Sequence, residues 1–103
     1  MATESQITAA IVRYLRSLQK DGSRLWWVKI HGGPMQRAGL PDLLIILNGR
    51  VLWVEVKVPG KGATLLQVFT MEQLGEAGAE TVVATSVDDV REAIRPMLAM
   101  DRR

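Results

Sequence analysis

The 103-residue chain has no cysteine, a single histidine, one tyrosine and one phenylalanine. Without cysteine it has no disulfide framework and no thiolate metal site, which suits a reducing cytoplasm. No apolar run is long enough to span a membrane. The N-terminal MATESQITAA lacks the basic and apolar regions of a secretory signal. Internal repeats, low-complexity tracts and linkers are also missing, so residues 1–103 read as one domain with a modest core. Neither sign of charge dominates: 13 Lys+Arg stand against 11 Asp+Glu, a net charge of +2. That balance permits a polyanionic partner without requiring one, and the placement of the charges decides more than their sum. A hydrophobic content of 48% argues against disorder.

The pattern of what is present alternates between helix and strand. Thr3 and Gln6 make a capping box for a first helix, in which Ile7, Ile11, Tyr14, Leu15 and Leu18 recur on one face up to a stop near Gly22. LWWVKI (25–30) is aromatic and β-branched and predicts a strand, followed by a loop, HGGPMQRAG (31–39). Its adjacent tryptophans, Trp26 and Trp27, then point to opposite faces of the sheet. PDLLIIL and RVLWVEVKV flank Asn48-Gly49, the strongest short-range hairpin signal, because a type I′ turn needs positive φ at both positions. Thr64 and Gln67 box a second helix running to about Gly78, and TVVAT (81–85) is a short strand. Ser86 caps a last helix with Val90, Ile94 and Leu98 inward; Pro96 is expected to kink or shorten it. The order α-β-β-β-α-β-α predicts an α/β domain, a mixed four-stranded sheet flanked by helices on both faces.

The hairpin poses a chemical question. With Asn48 and Gly49 as the loop, facing residues have numbers summing to 97, so Asp42 faces Glu55 in a close, non-hydrogen-bonded pair, and Lys57 projects from the same face. Opposed like charges destabilise a sheet, more so when partly buried. Lys57 offsets part of the repulsion, and a divalent cation such as Mg²⁺ or Mn²⁺ would resolve it. Two plainer readings stand beside this one: Asp after Pro is common turn chemistry, and Glu-x-Lys on a strand is often a solvated face.

Gly39-Leu40-Pro41-Asp42, then Glu55-Val56-Lys57, then Gln67 opening a helix after the Pro59-Gly60 turn, with Glu4 on the first helix, resembles the VRR-NUC (virus-type replication-repair nuclease) domain of the PD-(D/E)XK nuclease superfamily. The resemblance runs from Glu4 to the strand at 81–85. The chain departs from the family in having Ala63-Thr64 where Ser-Pro often precedes the Gln.

The resemblance implies a PD-(D/E)XK-like fold and a metal-dependent DNA endonuclease. Asp42, Glu55 and the Val56 carbonyl would hold Mg²⁺ or Mn²⁺, with Glu4 reaching in directly or through water. Lys57 would act on the attacking water and the phosphate, and Gln67 would position these groups. From the residues alone, Glu4 is equally a first-turn acid favourable to the helix dipole, and Gln67 equally a capping residue. Lys29, His31, Arg37 and Lys61 flank the site as candidate DNA contacts.

Single-domain relatives of the family are associated with four-way (Holliday) junctions and homodimers, so branched DNA and a second copy of the chain are the expected partners, with no membrane and no small-molecule cofactor. The self-contact surface is sought on the aromatic strand and on the C-terminal helix, including Met97, Leu98 and Met100. The alternative is a catalytically inactive nucleic-acid-binding module of the same fold.

Overall fold

The computed structural model describes residues 2–30 and 37–99. Its elements follow the expected order: α1 (Glu4–Lys20), β1 (Leu25–Lys29), β2 (Leu43–Leu47), β3 (Arg50–Val56), α2 (Leu65–Glu76), β4 (Glu80–Ala84) and α3 (Val87–Leu98). Both capping boxes form: the Thr3 hydroxyl accepts the Gln6 N–H while the Gln6 side chain accepts the Thr3 N–H, and Thr64 and Gln67 repeat the exchange. Each box satisfies backbone donors that a helix start leaves unpaired. Asn48 and Gly49 have φ of 52° and 80°, the left-handed conformations that a type I′ turn requires.

The sheet order is β1-β2-β3-β4. The first three strands form an antiparallel meander, and β4 joins β3 in parallel through the α2 crossover. Strands β2 and β3 pair from Leu47↔Arg50 to Leu43↔Val54, the register that the Asn-Gly turn dictates.

Strand alternation gives the sheet two unlike faces. One carries Leu43, Ile45, Leu47, Leu52, Val54, Val56 and Ala84, closed by Ile7, Ile11 and Leu15 of α1 and by Val90, Ile94 and Met97 of α3. Truncating a core residue such as Ile45 to Ala would cost about 2–5 kcal/mol. The other face carries Trp26, Val28, Leu44, Ile46, Val51, Trp53, Glu55 and Val83, and α2 packs there through Gln67, Thr70 and Met71. The tryptophans divide as expected: Trp27 packs against the core and Trp26 is 55% exposed on the far face.

Two expectations about the last helix are corrected. Pro96 neither ends nor shortens it; α3 continues to Leu98. Proline there removes one bond, to the carbonyl of exposed Glu92, where water can substitute. Burial of Met97 and a hydrogen bond from Asn48 Nδ2 to the Met97 carbonyl (2.9 Å) hold the final turn. The inward position is Met97, fully buried, and Leu98 is exposed. Met97 therefore belongs to the core and not to a self-contact surface, while Met100 lies outside the described residues.

Candidate active site

Three elements converge at the end of the sheet remote from the hairpin turn. Asp42 lies one residue before β2, anchored because its carbonyl accepts the Ile30 N–H (2.8 Å). The hairpin register continued by one step sets it across from Glu55. The next step would pair residue 41 with Val56, but Pro41 has no N–H to donate. The Val56 N–H donates to Asp42 Oδ2, at 2.8 Å. Proline therefore leaves the Val56 carbonyl without a ladder donor, while the Asp42 side chain takes the Val56 N–H.

Glu55 is 2% exposed. Gln67 Nε2 donates to its Oε2 at 3.1 Å, and Lys57 Nζ forms an ion pair with the same oxygen at 3.7 Å. Its other oxygen, Oε1, is buried and has no partner. Burial first, then the adjacent Asp42 charge, raise the Glu55 pKa from 4.5 to about 7, with the charge of Glu4 adding to the rise; Lys57 opposes it. Of the expected residues, the structure thus brings together Asp42, Glu55, Lys57 and Gln67, with Glu4 near enough for its charge to be felt.

The fit of a cation here rests on donor chemistry. Among the described residues, no group of three or more histidine, cysteine, aspartate or glutamate side chains is gathered around one point. A cation here would be held by the Asp42–Glu55 pair, with the Val56 carbonyl and water completing the shell. That oxygen-only set suits Mg²⁺ or Mn²⁺. The orphaned Glu55 Oε1 supports the fit, because a buried, unpartnered carboxylate oxygen is costly without a proton or a cation.

The expected DNA-contact residues are distributed around this end. Lys29 is exposed at the end of β1, opposite Leu43, and Lys61 is exposed in the turn before α2. Arg37 is exposed but already engaged, its Nη2 donating to Gln73 Oε1 at 3.1 Å. His31 lies outside the described residues.

One contributor escaped the sequence reading. Gly39 has φ +87°, and a Cβ there would stand 2.8 Å from both Leu66 Cγ and Thr70 Oγ1. The loop that carries Asp42 thus docks directly on α2, the helix that carries Gln67. Only the glycine itself hinted at this, as a residue that tolerates a left-handed conformation and close approach.

No protein-family model and no curated protein matches the chain. Solved structures do. One described as "VRR_NUC domain" is 26% identical, with a TM-score of 0.73, over 91% of this chain and 97% of its own. Another, "VRR_NUC domain protein", is 24% identical with a TM-score of 0.75, over 93% of this chain and 88% of its own.

Proposed function

We propose, from the VRR-NUC fold that this chain adopts, that it is a Mg²⁺- or Mn²⁺-dependent endodeoxyribonuclease, selective for branched DNA such as four-way junctions and active as a homodimer. The observation that carries the reading is the Glu55 carboxylate: Gln67 and Lys57 both occupy Oε2, and Oε1 is left buried and unpartnered beside Asp42. A bound divalent cation would acidify water and offset charge on phosphoryl oxygens.

The chain's own residues do the rest. The fold fixes Asp42 through the Val56 N–H, so its second oxygen is held in place without side-chain entropy to lose. Lys57 has three donors, of which the Glu55 contact engages one, leaving others for water and a phosphate oxygen. Gln67 fixes the Glu55 carboxylate plane from α2.

Dimerisation is supported by the outer sheet face. α2 covers this face only on its β4 side, and the uncovered part of a sheet face is ordinarily polar. Here the outward positions of β1, β2 and β3 are apolar up to Glu55, and Trp26 is 55% exposed. Exposed Leu66 and Phe69 of α2 extend the apolar surface. An uncharged patch is complementary to itself under a two-fold axis, as an isologous contact requires. The test is incubation of the protein with branched and linear DNA in Mg²⁺, in Mn²⁺ and in EDTA. Metal-dependent cutting, faster on the junction, is expected. Binding without cutting in any metal would reduce the chain to a binding module, and neither would remove the nucleic-acid reading.

A further inference from the structure

We infer that the outer flank of α1, through Arg13, Arg16 and Lys20, is a phosphate-binding track that carries one duplex DNA arm away from the active site. The inference rests on the nuclease reading above for where the arm begins, and on separate observations for the track.

The first is azimuth. At 100° per residue, Ile7, Thr8, Ile11 and Leu15 define the buried side of α1, and Glu4 falls on that side, one turn nearer the site. Arg13, Arg16 and Lys20, spaced i, i+3, i+7, fall together on the opposite, exposed side. They are the only cations of the helix, and its one acid, Glu4, is exposed on the other side, near enough for its charge to raise the Glu55 pKa. No carboxylate among the described residues forms an ion pair with any of the three. By contrast, Arg91 and Arg95 on the neighbouring α3 are each neutralised by an acid one turn earlier. Among the helices, the unneutralised charge therefore belongs to α1.

The second observation is direction. α1 runs the length of the sheet: its first residue acts electrostatically on Glu55, and the segment after its end meets the hairpin turn, where Asn48 N–H donates to the Arg24 carbonyl (3.1 Å). The Arg16 guanidinium lies over the Trp27 ring, 5.7 Å from its centroid, which sets it towards the β1 edge. Lys29, two residues beyond Trp27 on the same side of β1, continues the cations towards Asp42. Charge thus extends from the site, through Lys29 and Arg16, to Lys20. At about 1.5 Å per helical residue, Lys20 lies about 24 Å from Glu4 along the axis, equivalent to about seven base pairs of duplex.

The test uses the full chain with Arg13, Arg16 and Lys20 all changed to Gln, a helix-compatible neutral residue. A second variant, Arg13→Gln with Lys20→Gln, retains the Arg16–Trp27 contact in case the triple fails to fold. Affinity for four-way junctions with capped arms of about 5 and about 12 base pairs, on either side of the reach above, is measured in EDTA against salt concentration. On long arms the slope of log affinity against log salt should become shallower by about 2.7 for the triple and about 1.8 for the double variant, at about 0.9 for each phosphate no longer neutralised. On short arms, about 17 Å long, only Arg13 comes within reach, so the slope should change by about 0.9 at most for either variant. An unchanged slope on long arms, or equal losses on both arm lengths, would overturn the track. Single-turnover cleavage of the long-arm junction in Mg²⁺ runs beside it: if wild type does not cut, the nuclease reading fails while the arm-length comparison still decides the track.

Discussion

Glu55→Gln removes a charge that the metal-free fold keeps buried at a cost. In the folded chain burial and Asp42 hold the Glu55 carboxyl protonated up to about pH 7, against 4.5 ordinarily. The folded state binds this proton more tightly than the unfolded one, so the contribution to stability is fully present below pH 4.5 and is lost as pH rises through 7. That displacement corresponds to about 3 kcal/mol, at about 1.4 kcal/mol per tenfold change in proton affinity. Gln is neutral at every pH and its amide oxygen can still accept from Gln67. Denaturant unfolding in EDTA should therefore find the variant close to wild type near pH 4 and more stable by about 3 kcal/mol near pH 8, on the order of 10–20 °C in Tm. Mg²⁺ should raise the stability of wild type at pH 8 and leave the variant nearly unmoved. A variant less stable than wild type at pH 8 in EDTA, or one that gains equally from Mg²⁺, would refute the reasoning.

Other substitutions separate roles that the geometry assigns to single atoms. Asp42→Asn can still accept the Val56 N–H, so it should unfold in EDTA at or above the wild-type midpoint yet fail to cut DNA; Asp42→Ala orphans that N–H and should cost about 1–3 kcal/mol. Lys57→Ala should bind metal nearly as wild type does and slow single-turnover cleavage by about two to four orders of magnitude, a range appropriate to losing a group that acts on water and phosphate; cleavage within a few-fold of wild type would remove Lys57 from the chemistry. Trp26→Glu should leave the fold intact, because Trp26 is half exposed, and yield monomers in sedimentation at micromolar concentration; an unaltered dimer would move the interface elsewhere.

The hairpin was legible in the sequence because one dipeptide determines it. Asn48-Gly49 sets the register, the register sets Asp42 across from Glu55, and the structure follows both. The capping boxes were legible for the same reason: the signal and the bond it forms lie three residues apart. What could not be read depends on partners distant in sequence. Nothing local to Pro96 reveals that Met97 is clamped by Asn48, 49 residues away, strongly enough for the helix to pass through the proline. Gly39 reads as a loop glycine until α2 is seen against it. The side chain of Asp42 bonding to the Val56 N–H depends on the register, and is visible only when the strands are paired. The charge of α1 was dispersed in the sequence among other lysines and arginines, and stands out only because the cations of α3 carry their own acids.

The central claim is that Asp42 and Glu55 share one divalent cation. Calorimetric titration of Mn²⁺ into the metal-free protein at pH 7.5–8, with wild type and Asp42→Asn side by side, tests it most directly. Wild type should bind one strongly held Mn²⁺ per chain and release protons as it does so, because binding requires the Glu55 carboxylate that is otherwise partly protonated near pH 7. Asp42→Asn should lose that site. Mn²⁺ binding that persists unchanged in Asp42→Asn, or no binding by wild type, would contradict the account.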